Sequence, residues 1–405
     1  MKKGLLFFLL LFLSISVFTQ TIIRGKVTTS SNEILEGASV YLNNTTIGTT
    51  TDDKGEFELK IKQGNFDLVV SFIGYKSVQI KIDTSTKIKF FTLKLIPNAT
   101  ILNEVIIKKT KYDKVWKYNL SRFKQAFLGR TKLAKECKIL NPKVLHFEYN
   151  QKINELTAEA REPLQIKNRA LGYIITYDLV DFSIKGNRLY YSGYARYKNL
   201  KKSIRKKWKK NRLEAYNGSQ MQFFRSLISQ KLKEDGFVVN QFKRVLNPQR
   251  PTKEKIKFAR ELIRLHNNRI NFSKKITKPI TALDSALVIV RKSRKPKYVD
   301  YLYKRNVSYE EMLSFEGKIP FLNFENYLSV IYTKETEEDN YLIGIFGKKK
   351  RSSGVQTSSI VLLNGKAKID KSGILINPNG IFNEGYWGFE AFANMLPLDY
   401  QPPKN

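Results

Sequence analysis

Between residues 48 and 61 the chain reads GTTTDDKGEFELKI, in which apolar Phe57, Leu59 and Ile61 alternate with Glu56, Glu58 and Lys60. A period of two puts every apolar side chain on one face, the pattern of a half-buried strand. The polar cluster Asp52-Asp53-Lys54-Gly55 just ahead of it predicts a turn. The same grammar recurs on both sides. Residues 38–42 form a short strand pattern after Gly37, Gln63-Gly64-Asn65 predicts a turn, residues 66–73 are an apolar run, and Val78, Ile80 and Ile82 alternate again. Short strands with regular turns predict a small antiparallel sandwich. Gly37, Gly55 and Gly74 are expected at turns or bulges where a side chain would clash, and Tyr75 at the sandwich edge.

From residue 113 the period changes. Val115, Leu120, Phe123, Phe127 and Leu128 recur at helical spacing up to Gly129, and Asn141-Pro142 closes the segment. Residues 144–197 are strand-like again, as LHFEYN, ELTAEA, LGYIITYDLVDFSIKG and NRLYYSGYARY, with Gly186-Asn187 as a hairpin turn between the last two. A helical region and further strands, including SSIVLLNGKAKID, come next, so the second part is predicted to be α+β.

The most distinctive stretch is NLKKSIRKKWKKNRLEAYNGSQMQFFRSLISQKLKEDG. Leu200, Ile204 and Trp208 repeat every four residues while Lys201, Lys202, Arg205, Lys206, Lys207, Lys209, Lys210 and Arg212 cover the rest, which predicts a basic amphipathic helix. Asn217-Gly218 breaks it. Ser219 with Gln222 three residues on is a capping box, and Met221, Phe224, Leu227, Ile228 and Leu232 give a second, core-facing helix that ends at Gly236.

Charge sharpens the division. The formal charge is +36. The chain opens MKKGLLFFLLLFLSISVFTQ, two lysines before an apolar run, which reads as a secretory signal peptide over residues 1–20, cleaved near Thr19 or Gln20. The run is shorter than the roughly 20 residues that span a bilayer. No cysteine comes directly after it, which excludes a lipoprotein anchor, and no later stretch is apolar enough to span. Without Lys2 and Lys3 the charge is 36 − 2 = +34. Residues 21–96 hold ten basic and eight acidic residues, leaving 34 − 2 = +32 for the remainder. The expected organisation is therefore a sandwich over 21–96, a linker over 97–112 and a basic α+β domain over 113–405, with two subdomains an option. Cys137 is the only cysteine, so no internal disulfide can form.

The ordered motifs Gly25-Lys26-Val27, Glu36-Gly37-Ala38-Ser39-Val40, Gly48 with Thr51-Asp52 and Gly55, and Phe72-Ile73-Gly74-Tyr75 resemble the carboxypeptidase-regulatory-like domain. That resemblance implies a transthyretin-like β-sandwich of the kind found at the N-terminus of Bacteroidetes TonB-dependent receptors. Leu102-Asn103-Glu104-Val105-Ile106-Ile107 also looks like the segment that leads such domains into a receptor plug. The roughly 300 residues after it cannot supply a barrel of about 22 strands.

No catalytic constellation emerges, and no cofactor is implied. The two histidines, His146 and His266, belong to no His-x-x-Glu pair, which argues against zinc peptidase chemistry and a metal site. Cys137 near His146 lacks an orienting partner, Ser219 is accounted for by capping, and Asp178 with Asp181 are expected to pair with lysine. Tyr386, Trp387, Phe389 and Phe392 either pin the C-terminal tail or stack on sugars. The expectation is an exported, non-catalytic protein of the periplasm or outer membrane, peripheral to the bilayer. Its basic stretch, residues 201–212, would capture an anionic envelope component (lipopolysaccharide phosphates, acidic lipid or acidic polysaccharide) or an outer-membrane protein. Nucleic acid fits the charge but not the address. The alternatives are an accessory component of a TonB-dependent transport system, or a glycan or peptide hydrolase.

Overall fold

The period-two segments become strands. The computed structural model describes residues 21–84, 86, 90–98, 111–186, 188–266, 276–317, 319–343, 351–370, 374–376 and 380–403. Residues 1–20, read above as a signal peptide, and the receptor-like residues 102–107 lie outside that set. Strands β1 (Thr21–Thr29), β2 (Ser39–Leu42), β3 (Gly48–Thr50), β4 (Glu56–Ile61), β5 (Asn65–Ser71), β6 (Val78–Asp83) and β7 (Phe91–Leu95) form two sheets, ordered β4-β1-β7 and β3-β2-β5-β6. Along β4, Phe57, Leu59 and Ile61 are buried while Glu56, Glu58 and Lys60 are exposed. The apolar side chains meet Ile23, Val27, Val40, Leu42, Leu68, Val70 and Leu93 in one core.

At Gly55 both expected constraints hold: φ is +72°, and a Cβ would stand 2.8 Å from the Val27 carbonyl oxygen. At Gly37 and Gly74 only the positive φ operates, because nothing lies within 4 Å of a Cβ there, so the expected clash is absent. The apolar run from residue 66 leaves the sheet after Ser71, and Ile73 is 80% exposed. Tyr75 packs against Phe72 and bridges to Pro97 at the sandwich edge.

The α+β part begins with helix α1 (Lys114–Phe127), capped by the Asp113 carboxylate, which accepts the Trp116 amide at 2.9 Å. Leu120, Phe123 and Phe127 are buried as expected, but Val115 is 65% exposed and Asn119 takes a buried position instead. Strands β8 (Cys137–Ile139), β9 (Leu145–Asn150), β10 (Glu155–Ala160), β11 (Leu164–Asn168), β12 (Tyr173–Lys185) and β13 (Arg188–Asn199) form a sheet ordered β8-β11-β12-β10-β9, with β13 also paired to β12. The β12–β13 hairpin turns through Gly186 with φ +59°, where the sequence places it; its partner Asn187 lies outside the described residues. Phe127 stacks on Phe392 with ring centroids 4.6 Å apart, and Phe123 meets Phe182 at 4.5 Å. Full burial of one such side chain is worth about 1.5–3 kcal/mol.

A second core lies further along the chain. Helices α2 (Lys206–Tyr216), α3 (Gln220–Ile228) and α4 (Leu232–Asp235) lead into β14 (Phe237–Leu246). Helices α5 (Lys253–Leu265) and α6 (Ala282–Lys292) separate β14 from β15 (Tyr298–Lys304). Strands β16 (Leu313–Glu316), β17 (Ile319–Leu322), β18 (Tyr327–Thr336), short helix α7 (Asp339–Leu342), β19 (Val355–Leu362), β20 (Ala367–Lys368), β21 (Ile381–Gly385) and α8 (Tyr386–Phe389) complete the chain. The main sheet here is ordered β15-β14-β18-β19-β21. Phe223, Phe224 and Leu227 of α3 pack with Phe237, Tyr332 and Trp387 over it. The molecule is thus an all-β sandwich joined to an α+β portion.

The sandwich is fastened to β13. The Asn44 amide donates to Ala195 O at 2.8 Å, Tyr197 N donates to Thr45 O at 3.0 Å, and Ala195 N donates to the Asn43 side chain at 3.0 Å. The C-terminal segment closes the same joint. Leu398 N donates to Asn44 O at 2.7 Å, and the Asp399 carboxylate accepts from the Thr46 amide at 2.9 Å and from the Thr46 hydroxyl.

Candidate functional site

The basic stretch folds differently from its period-four reading. Residues 200–205 are not helical: Leu200 N bonds Gly172 O at 2.9 Å, and α2 begins only at Lys206, after an extended Arg205. The reason is tertiary. Three side chains of α2 are spent on the 169–172 turn, with Trp208 Nε1 donating to Arg169 O at 2.9 Å, Asn211 Nδ2 to Ala170 O at 2.8 Å, and Arg212 Nε to Leu171 O at 2.8 Å. Gly172 makes this approach possible. It has φ +74°, and a Cβ there would lie 2.2 Å from the Trp208 indole.

Arg212 is therefore buried apart from the exposed cations. It is 5% exposed, its guanidinium lies 3.9 Å from the Tyr173 ring centroid, and Nη2 donates to Asn199 Oδ1 at 2.8 Å. Burial pulls its pKa down, while Tyr173 and Tyr400 oppose the shift. Lys207 is held by Glu136 at 2.8 Å. Lys201, Lys202, Arg205, Lys206, Lys209 and Lys210 stay exposed, with Arg205 over the Trp208 ring at 5.3 Å. The first turn of α2 holds no acidic residue, and its N-cap makes no side-chain hydrogen bond. Cations at this end oppose the helix dipole, each by about 0.3–1 kcal/mol.

The remaining candidates find other roles. Cys137 is buried and its thiol is pushed up to about 12 by desolvation, which removes it as a nucleophile. It sits on β8 and His146 on β9, the two ends of the strand order. Asp178 accepts from the Ser77 hydroxyl of the sandwich, and Asp181 accepts from Ser192 Oγ at 3.2 Å, so neither pairs with lysine in these bonds. Ser219 caps α3 by accepting the Gln222 amide at 3.2 Å, while Gln222 Oε1 reaches back to Gly218 N at 2.7 Å. The apolar face ends in two pieces, since Gln230 (φ +61°) separates α3 from α4 before Gly236. Tyr386, Trp387, Phe389 and Phe392 are all buried, and Trp387 Nε1 donates to Gly218 O at 2.7 Å, so they pin the tail and offer no face to a sugar. Among the described residues no group of three or more His, Cys, Asp or Glu is placed to hold a metal.

Sequence reasoning missed one acidic cluster. The Glu390 carboxyl is pushed up to about 8, first by burial and then by the charges of Glu335 and Glu338, with Asn394 opposing. Glu335 is raised by burial against hydrogen bonds from Asn217 and Gln356. It lines an open cavity of about 390 Å³ together with Lys132, Glu214, Thr333, Lys334 and Thr336. Glu337 next to it is instead lowered by a two-pronged Arg351 contact at 2.6 and 2.8 Å. Residues 335–338 and 390 are far apart in sequence, so no local pattern announces the cluster.

Comparison with known proteins bears on the sandwich. Across 115 residues the chain is 37% identical to the TonB-dependent receptor SusC of Bacteroides thetaiotaomicron, a match that covers 26% of this chain and 11% of that protein. The chain thus spans about a tenth of the length of the curated relative it matches. Among solved structures, a DUF3823 family protein from Bacteroides ovatus is 10% identical over 45% of this chain and 83% of that one, with a TM-score of 0.17. A protein of unknown function from Bacteroides fragilis is 11% identical over 90% and 95%, also with a TM-score of 0.17. These scores establish no shared overall fold. Residues 23–107 match the CarboxypepD_reg-like domain family, and through this domain the chain is related to a TonB-dependent receptor.

Proposed function

We propose that the protein is an exported, non-catalytic envelope protein, whose sandwich and C-terminal tail hold a basic α+β portion that captures an anionic component. The observation that carries this reading is the set of six exposed cations, Lys201, Lys202, Arg205, Lys206, Lys209 and Lys210, gathered at the N-terminal end of a helix whose opposite face is fixed by Trp208 and Arg212. Anion binding there would relieve both the mutual repulsion and the opposition to the dipole. Lipopolysaccharide phosphates, acidic lipid and acidic polysaccharide share the required chemistry. The relation to a TonB-dependent receptor supports the envelope address, and no helix among the described residues is long and apolar enough to cross a membrane.

The test is binding of the mature chain to lipopolysaccharide over a salt series. Binding should fall steeply with ionic strength, and reversing charge at Lys206, Lys209 and Lys210 should abolish it with the circular dichroism spectrum unchanged. Unchanged binding by the reversed variant would remove the reading.

The same relation supports an accessory role in TonB-dependent transport, tested by whether a barrel co-purifies with the native chain. A hydrolase reading rests on Glu335 beside its cavity with Glu390 behind it. Loss of a measured glycan or peptide hydrolysis in Glu335→Gln would favour it.

A further inference from the structure

Helices α5 and α6 pack chiefly on each other, and no other helix or strand makes an extended contact with them among the described residues. The neck of this hairpin is fixed. Asn247, 9% exposed, donates from Nδ2 to Pro296 O at 3.0 Å and from its amide to Lys297 O at 3.0 Å. Thr281 and Asp284 form a capping box at the start of α6. The element is built to hold its shape.

Helix α5 carries two apolar stripes where one would suffice. Ile256, Ala259 and Ile263 are spaced to form one, and Ile256 and Ala259 are buried. Phe258, Leu262 and Leu265 form the second at i, i+4 and i+7, yet Phe258 is 69% and Leu265 73% exposed. Ile280, just before α6, is 91% exposed. The surrounding charge is one-sided: the described residues 248–266 and 276–297 hold twelve Lys or Arg and three Asp or Glu, a net of 12 − 3 = +9. Lys253, Lys257, Arg260 and Arg264 lie on a different face of α5 from Phe258 and Leu265.

A soluble polyanion would satisfy the charge and leave the apolar stripe in water. A neutral apolar partner would strand the charge. An anionic bilayer satisfies both, because its headgroups meet the cations and its acyl boundary takes the apolar side chains. We propose that the α5–α6 hairpin is a membrane-surface anchor that lies on an anionic lipid bilayer with Phe258 and Leu265 seated below the headgroups. It is separate from the α2 surface and does not depend on it.

The mature chain with Phe258→Cys, labelled there with an environment-sensitive dye while Cys137 stays buried, is mixed with vesicles. Emission should shift to the blue with vesicles containing phosphatidylglycerol and stay unchanged with phosphatidylcholine alone. Reversing Lys206, Lys209 and Lys210 should leave the shift in place, which separates this anchor from the α2 surface. In unlabelled protein, Phe258→Asp with Leu265→Asp should weaken sedimentation with the anionic vesicles about tenfold or more. Both side chains are exposed, so folding is not at stake. No shift on anionic vesicles, an equal shift with dextran sulfate in solution, or undiminished sedimentation of the double variant would each overturn the proposal.

Discussion

At the scale of single residues, Arg212 shows why a basic count overstates a basic surface. Its guanidinium closes the 169–172 turn and stacks on Tyr173. Arg212→Ala leaves the buried Leu171 carbonyl without its Nε donor, while Gly172 O keeps the Leu200 amide and Asn199 is exposed to water. We expect a loss of about 2–4 kcal/mol in urea denaturation, with the salt dependence of anion binding unchanged in the folded protein. An unaltered denaturation midpoint would return Arg212 to the binding surface. Glu390 gives a pH signature of known sign. Its folded pKa, about 8, lies above the ordinary 4.5, so the unfolded chain binds fewer protons than the folded one between those values. Its contribution to stability is complete below about 4.5 and is lost as the pH rises through about 8. The melting temperature of Glu390→Gln should therefore gain on the wild type between about pH 5 and pH 8, and a constant difference would place the carboxyl in water.

At the scale of elements, the sequence was legible where local periodicity and burial agree. Strand β4 and the β12–β13 hairpin come from alternation and from a turn glycine, and α3 comes from its cap. We expect Ser219→Ala to cost about 1 kcal/mol, read from chemical denaturation, because the Gln222 amide loses its acceptor. Where a long-range bond overrides the pattern, the reading failed. Leu200 and Ile204 keep helical spacing with Trp208, but Leu200 is bonded to Gly172 and the helix waits until Lys206. Val115 fails for a related reason: the spacing is right, yet the side of α1 that meets the sheet is set by Leu120, Phe123 and Phe127. The second stripe of α5 is local and was visible in principle; its exposure was not, since exposure depends on what the fold leaves uncovered. The acidic cluster was out of reach altogether, because β18 and the C-terminal segment meet only in three dimensions.

At the scale of the whole molecule, the sandwich does more than precede the basic portion. Contacts that tie the two together include the backbone bonds of Asn44 and Thr45 to β13, the Asn43 side chain on Ala195, Arg196 on Ser39, the Ser77 hydroxyl on Asp178, Thr46 on Asp399, and Leu398 on Asn44. The tail runs from Trp387 in one core and Phe392 in another to Asp399 at the sandwich, so it touches all three packed units. A spacer joined only by a linker would melt independently of the domain beyond it. A module fastened in this way should unfold with its neighbour, because each joint polar group would otherwise lose a partner at once. Calorimetry of the chain from residue 21 onward should then show the sandwich unfolding in the same transition as the β12–β13 sheet. Asp178→Ala with Asp399→Ala should split it into two and speed amide exchange at Asn44 and Tyr197, while exchange at Leu59 in the sandwich core stays slow. Two transitions already present in the wild type would mean that the joint does not couple the units, and the anionic surface would then have to orient itself without help from the sandwich.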